Sequence, residues 1–428
     1  MIGHDSIEYA SLTDVGVRRS HNQDAHATLL ASDEEQWQIR GHVFLVADGM
    51  GAHAVGELAS ELAVNIIPHT YHKYAAQNGV PALRKAFVEA NASIHAKGQQ
   101  NPEFGGMGTT TTALLLRPEG AWVGHVGDSR AYRIRKGVIE QMSFDHSLVW
   151  EMARRQHVDP DGLAGIPSNV IVRSLGPEPL VQVDLEGPHP IEPDDVYLLC
   201  SDGLSGQVTD QEIGAIASVL PPAEACHLLV DLANLRGGPD NVTVLIVRVK
   251  EQSQQGKPSA RKGRPWYRWL PWPVASLIVG LLLVSLAFLL TAYELRMFGM
   301  AAFVLAAVAI IAGMIGLGIS IGREKQRLAQ EPVPARLRMY RQASCVVEQP
   351  LLDKLTSATA ALEQQTKERQ WAVDWMEYQE HSAQGNKLLG EHKLTDAFRE
   401  YCRAMRILAE TLHRQRAKGE DFRPLWDK

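Results

Sequence analysis

VFLVADGMGAHAVGE, from Val43 to Glu57, is the stretch on which the reading of this chain turns. Its apolar run reads as a buried strand, and the strand ends in a carboxylate, Asp48. Gly49, Met50 and Gly51 follow, and an amphipathic helical pattern begins after them. An unpaired carboxylate at the end of a buried run is costly to desolvate. Glycines beside it supply backbone freedom rather than packing. The stretch therefore predicts a rigid strand that carries a charged group out of a core, followed by a turn into a helix.

The same grammar extends outward. HVFLVAD, TTTTALLL, AWVGHVG, RAYRIRKG, DVYLLCSDG and NVTVLIVRV all read as short strands. AVGELASELAVNIIPHTY, GVPALRKAFVEANASIHAKGQ and PPAEACHLLVDLANLR carry helical periodicity. Many hairpin-linked strands with a few long helices predict an α+β domain over residues 1–250, its helices layered on the sheet faces.

The chain has 428 residues and a formal net charge of -6, which gives no reason to expect nucleic acid as a partner. Its four cysteines, Cys200, Cys226, Cys345 and Cys402, form no CxxC pair, which fits a reducing compartment. The N-terminus lacks a basic segment followed by an apolar one, so no signal peptide is expected and the first domain stays in the cytoplasm.

Residues 251–273 form a linker that is polar, then basic, then aromatic. Two uncharged stretches follow, VASLIVGLLLVSLAFLLTAY from Val274 and MFGMAAFVLAAVAIIAGMIGLGISIG from Met297. Each is long enough to cross a hydrocarbon core of about 30 Å. Their short connection predicts a transmembrane hairpin over 274–322. Arg261, Lys262, Arg264 and Arg268 precede it and Arg323, Lys325 and Arg327 follow it, placing both flanks in the cytoplasm. Residues 323–428 read as an all-α cytoplasmic region. Gly385, Leu388, Ala397, Tyr401 and Ala404 have the spacing of one tetratricopeptide repeat, with His392 where that repeat usually has glycine. A helical hairpin or coiled-coil segment fits the same residues equally well, and these helices are a candidate site for a protein partner.

Chemistry concentrates in five aspartates, Asp24, Asp48, Asp128, Asp202 and Asp240, each beside glycine, serine or asparagine. One Asp-Gly alone is usually a turn. Several carboxylates brought to one end of a sheet repel unless cations neutralise them. Oxygen ligands without histidine or cysteine favour Mg²⁺ or Mn²⁺ over zinc.

TDVGVRRSHNQDA, VADGMGAHAVGELAS, GMGTTTT, GHVGDSRAYRI, DHSL, NVIVRSLG, LLCSDGL and DNVTVLIV occur in the order found in PP2C-type (PPM) serine/threonine phosphatases, which this chain resembles over about residues 6–250. The resemblance implies a four-layer αββα sandwich, two antiparallel sheets flanked by helices, with two or three Mn²⁺ or Mg²⁺ ions at one end. It implies that Asp48 bridges two metals, that the Gly49 carbonyl and the Asp202 and Asp240 carboxylates complete their ligands, and that Asp24 orders metal-bound water. Asp128 matches a ligand of a third metal, and Arg19 matches the arginine that grips the substrate phosphate, with Arg18 as its competitor. A guanidinium suits that task because its planar fork bonds two phosphate oxygens. Gln23 stands where many members have glutamate and Ala52 where bacterial members commonly have glycine.

The implied reaction is direct attack of a metal-bridging hydroxide on phosphoserine or phosphothreonine in cytoplasmic proteins, Arg19 and Asp48 being the catalytic residues. No cysteine begins a C-x5-R loop, which excludes the cysteine-dependent phosphatases. His53 and His146 lie near the motifs, as general acids or as shapers of loops. Family members of this kind in bacteria usually oppose a serine/threonine kinase, so a kinase is an expected partner and the bacterial cytoplasmic membrane the expected location. The rival readings are a catalytically inert membrane scaffold and a phosphatase of a small phosphorylated molecule.

Overall fold

The computed structural model describes residues 3–51, 55–163, 165–167, 170–250, 272–330 and 340–416. The 251–271 part of the linker, Ala52 and His53 fall outside them. In chain order the strands before the apolar segments are β1 (Ile7–Asp14), β2 (Asp24–Leu29), β3 (His42–Met50), β4 (Gly108–Thr109), β5 (Thr111–Arg117) and β6 (Gly120–Val126). After these come β7 (Arg130–Arg135), β8 (Val138–Gln141), β9 (Asp184–His189), β10 (Val196–Cys200) and β11 (Val242–Val249). The helices of this part are α1 (Glu34–Ile39), α2 (Val55–Asn78), α3 (Pro81–Gly98), α4 (Leu148–Gln156), α5 (Asp202–Ser205), α6 (Asp210–Val219) and α7 (Pro222–Leu235).

One antiparallel sheet has the order β2-β3-β5-β6-β9, with β4 on the end of β3. Along β3, Val43, Leu45 and Ala47 pack among α2 and α3, while Phe44 and Val46 pack against Tyr197, Leu199, Leu245 and Val247 of the other sheet. Burial of both faces is why the run Val43–Ala47 shows no polar alternation. The second sheet presents Leu198, Val244 and Ile246 to α6 and α7 on its outer side. The layers are thus helices, sheet, sheet, helices.

The second sheet has the order β1-β11-β10-β7-β8-β12, and its last strand, β12 (Arg341–Ser344), comes from beyond the apolar segments. The helices α8 (Trp272–Ala292) and α9 (Arg296–Gln330) lie between β11 and β12 in sequence, and α10 (Gln349–Glu368), α11 (Trp375–Gly390) and α12 (Leu394–Arg416) follow. The described residues up to 250 and from 340 onward form one compact unit, and 272–330 another. Sequence reading sets 323–428 apart as a helical region; its helices are present, but a strand precedes them and they share one core with the sandwich. Leu351, Leu355, Phe398, Cys402 and Met405 pack with Ile213, Ile216, Leu229 and Leu232. Arg403 pairs with Glu224 at 3.0 Å, and Lys354 with Glu212 at 2.9 Å. Between α11 and α12, a Cβ at Gly385 would stand 3.1 Å from the Tyr401 ring, and His392 turns the chain at a φ of 59°. All four cysteines are free and buried.

In the other unit α8 folds back on α9. A Cβ at Gly280 would lie 2.5 Å from Ile310, Gly299 is equally close to Thr291, and Ser276 donates to the Ala309 carbonyl at 2.7 Å. Small residues and an interhelical hydroxyl bond allow such close approach. Among the described residues, Arg296–Met314 is one helix long and apolar enough to cross a membrane, and Ser276–Ala292 is a shorter apolar one.

Candidate active site

The five aspartates meet at one end of the sandwich. Asp24 and Asp48 face each other across β2 and β3. Asp202 opens α5 at the end of β10, Asp240 lies just before β11, and Asp128 sits in the turn from β6 to β7. Each leaves a strand end, because only there can a carboxylate on a buried strand reach solvent or a ligand.

Hydroxyl groups set their positions. Asp24 accepts hydrogen bonds on Oδ2 from Ser201 and Thr243, each at 2.7 Å. Ser201 in turn accepts from the Thr243 backbone N–H at 2.9 Å, so one small network joins β2, β10 and β11. The Asp48 N–H donates to the Thr110 hydroxyl at 3.0 Å, and the Asp48 carbonyl accepts from the Thr110 N–H at 2.8 Å. Thr110 also contacts the Ser129 hydroxyl at 2.8 Å, which ties the Asp48 strand to the turn bearing Asp128. Asn241 accepts from the Gln23 N–H at 2.8 Å and donates to the carbonyls of Val15 and His21 at 2.9 and 3.0 Å. It is a staple for the loop that carries Arg19.

Two glycines are required by space. A Cβ at Gly49 would fall 2.1 Å from the Gly56 carbonyl oxygen, and one at Gly203 would fall 2.0 Å from that of Asn241. Gly49 therefore lets β3 run against the first turn of α2, and Gly203 lets the Asp202 loop approach the Asp240 loop. The Gln23 amide lies 3.4 Å from the Gly51 carbonyl, bracing the same turn.

Crowding shows in the acid–base behaviour. Burial, followed by the neighbouring charges of Asp202 and Asp240, pushes Asp24 up to about 7 against the hydrogen bonds of Ser201 and Thr243. Burial, with Asp202 and Asp145, pushes Asp128 up to about 8. Asp48 is driven well above the carboxylate range by burial and then by Asp24, Asp202, Asp128 and Asp240. Asp202 is raised by burial and then by Asp240, with a hydrogen bond to Asp48 opposing. Oδ1 of Asp24, of Asp128 and of Asp202 are buried without a hydrogen-bond partner. Buried polar oxygens are ordinarily satisfied, so these three mark where a ligand belongs. Among the described residues, no three carboxylate, histidine or cysteine side chains close on one point by themselves. A hard-cation shell is usually completed by carbonyls and water, and the donor set here, oxygens throughout with the Gly49 carbonyl at the strand end, suits Mg²⁺ or Mn²⁺.

Arg19 donates from Nη2 to Asp240 Oδ2 at 2.7 Å, and its side chain is 49 % exposed. Arg18 instead contacts the Gly238 carbonyl through its backbone N–H at 3.2 Å. His146 is buried, accepting from the Gly127 N–H at 3.0 Å and bonding Asp184 at 3.1 Å. It shapes the Gly127–Asp128 turn and does not face an incoming substrate.

A family model for protein phosphatase 2C matches residues 17–157. The serine/threonine phosphatase stp of Listeria monocytogenes is 34 % identical over 251 residues, which cover 57 % of this chain and 96 % of that protein. The chain belongs to the protein phosphatase 2C family. Another member, the serine/threonine protein phosphatase PstP of Mycobacterium tuberculosis, is 34 % identical over 256 residues, 57 % of this chain and 45 % of that protein. The crystal structure of the Mycobacterium tuberculosis phosphatase PstP/Ppp superposes with a TM-score of 0.52 at 32 % identity, covering 57 % of this chain and 99 % of that one. The PstP catalytic domain in complex with two manganese ions gives 0.50 at 31 %.

Among the residues of this phosphatase 2C site, sequence reading missed Ser201, Thr243 and Thr110. For Ser201 and Thr243 the signal was a hydroxyl beside an aspartate, in CSDG and DNVTV, whereas Thr110 in GTTTT has no acidic neighbour in sequence.

Proposed function

We propose that this chain is a membrane-tethered, Mn²⁺- or Mg²⁺-dependent phosphatase of phosphoserine and phosphothreonine in cytoplasmic proteins. The observation that carries the reading is the gathering of five aspartates, three of them with a buried unpartnered oxygen, at one rim of the sandwich. Asp48, Asp202, Asp240 and the Gly49 carbonyl would hold two cations, Asp24 would order water beside them, and Asp128 would serve a third. Bound there, the cations acidify water and offset charge building on the phosphoryl oxygens. Asp24 is held ready by two hydroxyl donors, and Asp48 is fixed by the rigid strand behind it. Arg19, half-exposed and anchored on Asp240, would turn its free donors to the substrate phosphate.

The tether reading rests on chain continuity. β11 precedes the apolar helices and β12 follows them, yet both are strands of one sheet. An even number of crossings is the only arrangement that leaves both flanks on one side, and two helices supply it. The apolar side chains of Leu281, Phe288, Val304 and Leu305 are more than half exposed, unlike those of a soluble core. Basic residues on both flanks favour the cytoplasmic side of a bacterial membrane. An opposing serine/threonine kinase is the expected partner, and the α11–α12 pair, read as tetratricopeptide-like, is a candidate protein-binding element.

The test is hydrolysis of a phosphothreonine peptide by the full chain with and without Mn²⁺. Asp48→Asn and Asp240→Asn should each reduce kcat/KM by on the order of a thousandfold or more. Full activity in chelator, or in either variant, would defeat the metal-centre reading, and inertness of the native chain with Mn²⁺ would favour a scaffold.

A further inference from the structure

The segment that re-enters the sheet after the apolar helices has no part in the reading above. β12 lies antiparallel on β8, Arg341 opposite Gln141 and Ser344 opposite Val138. Two more backbone bonds extend the ladder, from the Tyr340 N–H to the Gln141 carbonyl at 3.0 Å and from the Cys345 N–H to the Gly137 carbonyl at 2.9 Å. The edge of β8 is thereby closed by chain from 200 residues further on.

Next to this edge the chain makes an excursion. It leaves the sandwich at Ser147, runs through α4 and the turn Pro160–Gly162, and returns at Ile171, which bridges back to Ser147. Both ends are tied beside the candidate site. The His146 N–H donates to the Gly127 carbonyl at 2.7 Å, next to Asp128, and Leu175 pairs with Thr109, next to the threonine that holds Asp48. The excursion carries Val158 and Val170, and Val172 follows its return, each 40 % exposed or more. p-Nitrophenyl phosphate offers such groups a single ring, whereas a polypeptide carrying the phosphate offers side chains on both sides of it.

Tyr340 and Arg341 grip this excursion. The Tyr340 ring meets Phe144 edge-on at 5.4 Å, and Phe144 meets Trp150 of α4 edge-on at 5.3 Å. The Tyr340 hydroxyl donates to Glu186 on β9. Arg341 donates to the carboxylate of Asp161 in the turn, and its Nε lies 4.0 Å from Asp210. An aromatic stack thus fixes the base of α4 while an ion pair fixes the turn beyond it.

Resting on the phosphatase reading, we propose that Tyr340 and Arg341 are positioning residues for protein substrates, holding α4 and the Pro160–Gly162 turn so that the apolar surface beside the carboxylates is preset for a phosphorylated polypeptide. Neither residue touches the reacting phosphate. β12 follows α9 in chain order, so the strand that holds this surface comes directly after the apolar helices in sequence.

The experiment compares a phosphothreonine peptide with p-nitrophenyl phosphate, using the full chain in detergent with Mn²⁺. Arg341→Ala should raise the KM for the peptide about three- to fivefold, the size expected of a partly exposed ion pair, with kcat changed by less than about twofold. Arg341→Lys should recover part of the loss. Asp161→Asn, at an exposed turn where it cannot disturb the sheet, should reproduce the rise in KM. Peptide KM unchanged in both variants overturns the proposal, as does an equal loss on both substrates, which would mark a general structural role. If Arg341→Ala does not fold, Asp161→Asn decides by the same criteria. Native chain inactive on both substrates overturns the phosphatase reading, and the proposal with it.

Discussion

Two buried clusters of charge in one unit behave in opposite ways. At the rim of the sandwich, burial and then the charge of neighbouring carboxylates weaken the acidities of Asp24, Asp48, Asp128 and Asp202. Where the C-terminal helices meet α6, Glu212 is also buried, and burial alone would raise it too. There the hydrogen bonds and charge of Arg236, with Lys354 and Thr209, win and push it down to about 2. Arg236 reaches Glu212 at 2.8 Å and Lys354 reaches it at 2.9 Å. The same functional group is thus a weakened acid in one place and a fastener in the other. Partners decide which, because desolvation acts on both alike.

The comparison can be broken most severely by substitution. Asp48→Asn abolishes turnover on the reading above, yet it relieves repulsion, so the chelator-treated protein should melt no lower than the native one. A large drop in its melting temperature would show that Asp48 holds the fold and not only a ligand. Glu212→Ala should do the reverse. It leaves Arg236 buried without its counter-charge, at a cost of about 3–5 kcal/mol in chemical denaturation. Folded Glu212→Ala protein that turned over p-nitrophenyl phosphate a thousandfold more slowly would mean that the fastener is part of the active site.

Titration sharpens the contrast. Glu212 has a lowered pKa in the folded state, so its stabilisation is complete above its ordinary 4.5 and is lost as pH falls toward about 2, amounting to about 3 kcal/mol. Asp24 has a raised pKa, so in chelator it lowers stability as pH climbs from its ordinary 3.8 to about 7. Denaturation curves at several pH values should show the two slopes, Asp24→Asn removing the second and Glu212→Gln the first. Mn²⁺ should flatten the Asp24 slope; an unchanged slope would mean that no cation reaches that carboxylate.

The smallest effect is expected at Arg403, whose side chain is 33 % exposed in its pair with Glu224. Arg403→Ala should cost about 0.5 kcal/mol, because water screens such a pair. A loss comparable to that of Glu212→Ala would place the main fastening of the C-terminal helices there.

These differences also explain what could be read in advance. An acidic residue that ends an apolar run is conspicuous in one dimension, so Asp48 and Asp202 stood out, and ordered motifs supplied Asp24, Asp128 and Asp240. Hydroxyl donors are chemically ordinary, and Thr243 becomes significant only when β11 sets it 2.7 Å from Asp24. β12 was invisible for a different reason. RQAS has no apolar alternation, and what makes it a strand is the open edge of β8, known only in three dimensions. The apolar faces of α10 and α12 were legible as helical periodicity, but nothing local says that they cover α6 and α7.

The position of β12 also bears on how a form without the apolar helices could be engineered. Through β10, β7 and β8, Arg248 lies in register with Ala343. Four strand spacings of about 4.8 Å separate them, roughly 19 Å across the sheet. A flexible glycine–serine bridge of roughly 15 residues has a matching average span. Splicing such a bridge between β11 and β12 would remove both apolar helices and keep the six-stranded sheet whole. Ending the chain after β11 would instead bare the edge of β8 and the apolar faces of α6 and α7, an invitation to aggregate.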